Sequence, residues 1–381
     1  MDPVRGRGAA ADLPNRFERL EVELDENEAA RIPGERRTLA LRDHSRSVLT
    51  RNRSPDVGFD WSLNPYRGCE HGCAYCYARP THEYLGFSAG LDFESRIMVK
   101  EDAPELVEAE LARPGWSAVP LVMSGVTDPY QPLERKLRVT RRCLEVLARA
   151  RHPVAIITKS RLVERDVDLL ATLAAHDAAH VTISITTLDR RLQRSLEPRA
   201  SPPEHRIAAI RTLAEAGIPV AVNVAPIIPG LTDHEMPAIL EAAGRAGATA
   251  AGYVSLRLPG AVRPIFLEWL DTHCPDRSGK VRSRLRSLHG GGLYDPAFGR
   301  RMRGSGPYAD QIRSLFHAGR QRAGLGRRLI DLDVRHFRRP SRAPDGSVRS
   351  TPGPQLEIFV EERRDPGAEV DDILQNEDDD R

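Results

Sequence analysis

Residues 64–83 read NPYRGCEHGCAYCYARPTHE, which brings Cys69, Cys73 and Cys76 within eight residues of one another. The whole chain of 381 residues holds five cysteines. That is no disulfide framework; clustered cysteines in such a chain bind metal or do redox work. The spacing is C-x3-C-x2-C, and no fourth cysteine follows nearby. A structural zinc site takes four protein ligands, usually as two separated pairs, and an ordinary [4Fe–4S] cluster takes four cysteines. Three ligands leave one iron open to a further molecule. His71 lies inside the loop, where reaching one shared ion is strained, and His82 is the freer candidate for a fourth ligand. Cys143 and Cys274 stand alone and read as small buried residues.

Outward from this loop the chain alternates short β-branched runs with longer amphipathic stretches. Expected strands are VGFDWSLNPY (57–66), VPLVMSG (119–125), PVAIITK (153–159), HVTISITTL (180–188), PVAVNVAPII (219–228) and AAGYVSLRL (250–258). Helices are expected between them, at 104–113, 137–151 and 205–217 among others, the last ending on Gly217 as a left-handed stop. Six β-α repeats of about 30 residues with near-continuous apolar strands argue for an α/β fold with a parallel sheet covered by helices. Periodicity alone leaves an open doubly wound sheet and a partial barrel equally possible.

The ends differ from this middle. Residues 1–36 are sparse in apolar residues and read as a flexible N-terminal arm. Residues 37–275 carry the repeats, 276–340 form a basic extension expected to pack on them, and 341–381 read as an acidic, mostly disordered tail, with LEIFV (356–360) a candidate short strand. Between 277 and 342 there are 17 Lys/Arg against four acids, and between 343 and 381 there are 12 acids against four Arg. No run of about 18 apolar residues is present, and the first residues lack the apolar region of a secretory signal, so a cytoplasmic protein without membrane partners is expected.

The cysteine spacing, with Tyr75 just before the last cysteine, resembles the radical S-adenosylmethionine (SAM) superfamily. The extended NPYRGCEHGCAYCYARPTH, followed by DPYQPLE (128–134), ITKS (157–160) and EPRASPPEHR (197–206), is similar to the branch that contains spore photoproduct lyase. The resemblance covers roughly residues 40–330 and implies a partial (β/α)6 TIM-type barrel over residues 37–275. It implies a [4Fe–4S] cluster on Cys69, Cys73 and Cys76, with SAM on the open iron. It implies reductive cleavage of SAM to a 5′-deoxyadenosyl radical that abstracts hydrogen from a substrate. A one-electron donor such as a flavodoxin or ferredoxin is implied as well. The branch's lyase uses a cysteine as hydrogen-atom donor near the segment matching Val126–Asp128, where this chain has none, so the same reaction is not expected.

Site residues follow from the same resemblance, each at the C-terminal end of an expected strand, where such folds place chemistry. Ser124, Thr127 and Asp128 follow strand two, near the SAM amino group. Lys159 follows strand three and is a candidate partner of the methionyl carboxylate. Ser184 and Thr186 alternate with Ile183 and Ile185, so their hydroxyls either reach the ribose or fill a barrel layer. Asn223 interrupts an apolar strand, and a buried amide needs partners that a cofactor would supply. Tyr77 either contacts SAM or packs. Tyr130, Gln131 and Glu134 either line a substrate pocket or cap the next helix. No catalytic residue is identifiable.

Arginines between 277 and 342 mix with Tyr294, Phe298, Tyr308, Phe316 and Phe337, a composition suited to a nucleic-acid surface and equally to a solvated cap. Two functions are expected from these features. The first is a radical SAM enzyme whose substrate is DNA, RNA or a nucleotide. The alternative is a non-catalytic, metal- or iron–sulfur-containing nucleic-acid-binding protein.

Overall fold

The computed structural model describes residues 6–17 and 37–341. The candidate strand at 356–360 and the acidic tail from 342 on lie outside the described residues.

Among the described residues, ten strands form two sheets: β1 (Leu39–Arg42), β2 (Leu49–Arg51), β3 (Trp61–Leu63), β4 (Tyr66–Arg67), β5 (Arg96–Val99), β6 (Leu121–Met123), β7 (Val154–Thr158), β8 (Ala179–Ile185), β9 (Val220–Ile227) and β10 (Ala250–Ser255). The large sheet has the order β10-β9-β8-β7-β6-β3-β2. From β3 to β10 all neighbours are parallel, and β2 pairs antiparallel with β3 at the edge. Strictly sequential parallel order, with a helix in every crossover and no pairing that closes β10 onto β2, is the topology of a partial (β/α)6 barrel.

The crossovers contain α1 (Leu91–Ser95) and α2 (Ala103–Leu111) before β6, α3 (Glu134–Leu137) and α4 (Val139–Ala150) before β7, and α5 (Val167–Ala174) before β8. Then come α6 (Arg190–Leu196) and α7 (Pro203–Glu215) before β9, and α8 (Met236–Arg245) before β10. Three more helices follow the sheet: α9 (Val262–His273), α10 (Pro275–Leu288) and α11 (Pro307–Arg322). Gly217 ends its helix at φ +73°.

All six expected strands are present, but the first is cut short. Pro65 has no N–H to continue a ladder, and the chain leaves the large sheet there. Tyr66 and Arg67 pair instead with β5 in a three-stranded sheet, order β1-β5-β4.

Alternation along β8 and β9 sorts the side chains between two faces. Val181, Ile183, Val220, Val222 and Val224 join Ile210, Leu213, Ile239 and Leu240 of the helices in the main core. The residues between them, Thr182, Ser184, Ala221 and Asn223, face the concave side. A closed barrel fills its interior with bulky branched residues. Here the inner wall along β8 and β9 is small and polar, and space remains. A cavity of about 320 Å³ lies there, between Thr182 and Asn223 on the sheet and residues 327–331 opposite.

Those residues belong to a segment that crosses the N-terminal ends of the strands. Gly326 donates to Thr249 O before β10 (2.8 Å), Asp333 N to Asp177 O before β8 (2.9 Å), and Arg338 N to Ala150 O before β7 (2.7 Å). Arg339 then reaches Trp116 O before β6 (2.8 Å). Arg339, and Arg320 through its bond to Leu325 O (2.7 Å), therefore spend their charge on the fold. The cysteine loop occupies the opposite, C-terminal rim, after β3.

Residues 6–17 differ from the flexible arm expected over 1–36. They are packed: Arg7, Ala9 and Asn15 are buried. Their anchors are hydrogen bonds of Arg7, Gly8 N, Ala9 N and Asn15, with Ala9 and Leu13 packed against Leu91 and Ile265, contacts that leave no periodic apolar pattern in the sequence.

Candidate active site

The cysteine loop is shaped by its neighbours' hydrogen bonds. Cys69 N donates to Phe93 O (2.9 Å) and Ala74 N to Leu196 O (3.0 Å). Gly72 sits at φ +64°, and a Cβ there would stand 2.5 Å from Glu94 Oε2, so both conformation and space demand glycine. Gln131, fully buried, accepts from Glu70 N (2.9 Å) and donates to Gly68 O (3.3 Å). Glu134 is also fully buried, accepting from Thr140 N (3.0 Å), the Arg165 guanidinium (2.7 Å) and the Tyr66 hydroxyl. Gln131 thus braces the cysteine loop, and Glu134 accepts from the first N–H groups of the next helix, Thr140 N and Arg141 N.

Beneath the loop lies Arg79, with no exposed side-chain surface. It donates to Cys73 O (2.9 Å), Gly72 O (3.3 Å) and Gly90 O (2.9 Å) and pairs with the equally buried Glu94. Glu94 also accepts from Gly8 N (3.0 Å) and Ala9 N (2.9 Å). One buried carboxylate thus ties the N-terminal segment 6–17 to the arginine that holds the cysteine loop.

Cys69 and Cys73 are buried and Cys76 is half-buried, all as free thiols. Burial pushes all three thiol pKa values up; Asp128 adds to this for Cys69 and Glu197 for Cys73, whereas Arg79 partly offsets it for Cys76. Each of the three disfavours the negative charge that a metal ion would welcome. Among the described residues, no three His, Cys, Asp or Glu side chains converge as ligands of a single ion do. A [4Fe–4S] cluster asks for a different arrangement, because each thiolate binds its own iron. His71 lies 3.4 Å from Asp128 through Nδ1, and His82 Nε2 lies 3.0 Å from Arg96 O. Three soft sulfur donors without a convergent fourth ligand suit a cluster with one open iron and do not suit structural zinc.

Around the loop the structure gathers several of the expected residues. Tyr77 is 48% exposed and donates to Gly125 O (2.6 Å), with the Arg257 guanidinium 5.1 Å above its ring. Ser124 has φ +142°, a strained conformation for a residue with a side chain, and such strain gathers at functional sites. Asp128 accepts from the Thr158 hydroxyl (2.7 Å), Lys159 N (2.7 Å) and Tyr130 N (2.9 Å), so it orients the end of β7. Lys159 Nζ donates to Ala225 O (3.2 Å) and stands 5.9 Å from the Tyr75 ring centre. Ser184 pairs in register with Asn223, and Asn223 with Gly252, on the concave wall.

Two more of the expected residues make hydrogen bonds within the protein. Thr127 donates to Tyr66 O (3.1 Å). Thr186 lies within hydrogen-bonding distance of Ala225 O (2.8 Å), Glu197 Oε1 (2.7 Å) and Tyr75 OH (3.1 Å). The centre of that network, Glu197, escaped the sequence reading, as did its partner Arg206. Both are buried and paired. Burial alone would raise the Glu197 pKa, but Arg206 and Lys159 outweigh it and hold the carboxyl at about 2. The signal was there in EPRASPPEHR, where an acid and an arginine flank a proline-rich turn.

An open parallel barrel with three free cysteines on the loop after its first parallel strand defines a class of iron–sulfur enzymes that cleave SAM. Comparison with known proteins agrees. The sequence model of the radical SAM superfamily matches residues 63–243. An uncharacterised protein of Mycobacterium tuberculosis is 36% identical over 256 residues, covering 66% of this chain and 74% of that one. A radical SAM Nα-GlyT isomerase of Pseudomonas phage M6 is 27% identical over 172 residues, 45% of this chain and 34% of the phage protein. Among solved structures, spore photoproduct lyase with a dinucleoside spore photoproduct superposes with a TM-score of 0.54 at 14% identity, over 75% of this chain and 80% of the lyase. This chain belongs to the radical SAM superfamily. Its cofactors are those of the superfamily, a [4Fe–4S] cluster and SAM. Among the described residues no helix is long and apolar enough to cross a membrane.

Proposed function

We propose that Cys69, Cys73 and Cys76 hold the [4Fe–4S] cluster of a radical SAM enzyme that acts on a nucleic-acid or nucleotide substrate. When bound, the cluster and SAM supply a 5′-deoxyadenosyl radical for hydrogen abstraction. The observation that carries the reading is the placement of three free thiols, two buried and one half-buried, at the rim of an open barrel whose inner wall along β8 and β9 is small and polar.

The chain's own residues then have definable tasks. Arg79 and Glu94 fix the loop that carries the thiols. Lys159 presents an ammonium to an anionic group of SAM, and Asp128 sets its backbone. Ser124 and Tyr77 border the same space, and Ser184 and Asn223 offer hydrogen bonds along the wall. Radical SAM enzymes draw an electron from a donor; a flavodoxin or ferredoxin suits that role here. Support for a nucleic-acid substrate comes from the lyase's dinucleoside ligand and from the arginine-rich region after the barrel. The reaction differs from the lyase's in its hydrogen donor, because Cys143 is sealed in the main core and Cys274 lies at the start of α10.

The test is anaerobic reconstitution with iron and sulfide, followed by iron counting, SAM binding and chromatography of 5′-deoxyadenosine after reduction. Four irons per chain and 5′-deoxyadenosine that both vanish when the three cysteines become alanine support the proposal. A loaded protein that does not bind SAM overturns it. Lys159→Met is expected to weaken SAM binding about tenfold, the worth of one charged hydrogen bond.

A further inference from the structure

A cleft of about 1150 Å³ opens between the β9–α8 turn, α6, and the helices α10 and α11 that follow the barrel. Helix α10 is two-sided. Val281, Leu285 and Leu288 are buried, and the first two share a core cluster with Cys73 and Tyr75. Arg277, Lys280 and Arg284, at i, i+3 and i+7, form one row. Gly230 at φ +79° lets the turn lie against the stems of Lys280 and Arg284, 3.2 and 3.5 Å from where its Cβ would be. The Arg284 guanidinium rests 4.7 Å above the Tyr308 ring, and Arg191 lines the cleft from α6.

The charges in the cleft are unequally employed. Asp189 caps α6 by accepting from Arg191 N (2.7 Å) and Leu192 N (3.1 Å). Asp233 accepts from Gly230 N (3.0 Å) and the Tyr308 hydroxyl. Glu235 accepts from the Thr187 hydroxyl and Leu188 N, both at 2.6 Å. The acids are committed to loops. By contrast, among the described residues Arg191, Arg277 and Lys280 have no ion-pair partner and are exposed.

We propose that this cleft binds the phosphodiester backbone of a polynucleotide strand, with Arg191, Arg277 and Lys280 as its phosphate contacts. Arg277 and Lys280 stand about 4.5 Å apart along α10 at 1.5 Å per residue, within the rise of one to two nucleotides in one strand. The opposite face of α10 packs beside the cysteine loop, so a strand held here runs about one helix diameter, ~10 Å, from the cluster loop. The cleft would hold flanking nucleotides while a neighbouring one reaches the barrel. This deepens the nucleic-acid reading above and rests on it.

The experiment measures anisotropy of fluorescein-labelled 20-nucleotide single-stranded DNA and RNA with the full chain, at 50 and 200 mM NaCl. The comparison is with the triple variant Arg191→Gln, Arg277→Gln, Lys280→Gln, whose unchanged thermal melt shows that it folds. The variant should bind at least tenfold more weakly at 50 mM salt. The slope of log K against log salt should flatten by about 2, at ~0.7 per lost contact on a single strand. The DNA and RNA arms identify the source of the backbone. Undiminished binding by the variant overturns the cleft, as does absence of oligonucleotide binding or equally tight binding of labelled poly-glutamate. The substrate reading is judged separately, by whether oligonucleotides accelerate 5′-deoxyadenosine formation in the wild-type chain.

Discussion

Gly8 and Gly72 touch backbone to backbone: a Cβ on Gly8 would stand 1.7 Å from the Gly72 carbonyl oxygen and 3.1 Å from Ala74 N. Neither partner is a flexible side-chain end, so the segment or the cysteine loop must move to admit a methyl group. Gly8→Ala is expected to cost about 1–3 kcal/mol in urea unfolding, the usual cost of overpacking. Reconstituted protein should also lose iron to a chelator several times faster than wild type. Gly115→Ala, where nothing lies within 4 Å, is the control. Equal iron retention in all three proteins would show that segment 6–17 does not brace the loop.

The same brace runs through Glu94. Glu94→Gln leaves the Arg79 guanidinium buried without a counter-charge and weakens the acceptor for Gly8 N and Ala9 N. Breaking one side of a buried pair costs about 3–5 kcal/mol. The expected outcome is a loss of that size in denaturant unfolding. A loss under 1 kcal/mol would mean that Arg79 is satisfied by the carbonyls of Gly72, Cys73 and Gly90 alone.

What the sequence revealed and hid follows from how each feature is held. The six parallel strands were legible because burial on the helix side demands recurrent β-branched apolar residues, such as Val181, Ile183 and Ile185. β1, β2 and β5 were not, being three or four residues long with polar or exposed positions. Segment 6–17 looked disordered because its anchors are Gly8 N, Ala9 N, Asn15 and Arg7, groups with no periodicity. The cysteine triad was legible because its chemistry depends on local spacing. Glu197 and Arg206 were missed because their meaning depends on Tyr75 and Thr186, distant in sequence. The basic region was read correctly as charged, yet Arg320 and Arg339 spend that charge on the carbonyls of Leu325 and Trp116.

Ser124 pairs a stability cost with a place at the site. Strain of this kind costs about 1–3 kcal/mol, and glycine would relieve it while adding about 0.5–1 kcal/mol of entropy loss on folding. Ser124→Gly is therefore expected to stabilise the protein by roughly 1 kcal/mol and to weaken SAM binding. Both are read in one set of thermal melts with and without SAM. A variant that gains stability and keeps its SAM-induced shift would place Ser124 outside the SAM contacts.

His152 gives the fold a pH dependence far from the cysteines. Its Nε2 accepts from the Trp116 indole N–H (3.2 Å), Nδ1 lies 3.2 Å from Pro153 O, and Phe337 packs edge-on at 5.3 Å. Burial holds its pKa down at about 4, against about 6.5 in the unfolded chain. Between those values the unfolded chain binds more protons, so stability falls as pH drops from 6.5 and the loss is complete below 4. At 1.36 kcal/mol per unit the loss reaches about 3 kcal/mol. Protonation would also aim an N–H at the Trp116 N–H and loosen Phe337, which helps hold the segment across the barrel floor. His152→Gln keeps an acceptor and removes the titration. Its melting temperature should therefore fall less between pH 7 and pH 4.5 than that of wild type, while the two curves run parallel above pH 7. Parallel curves throughout would assign the acid sensitivity to other histidines.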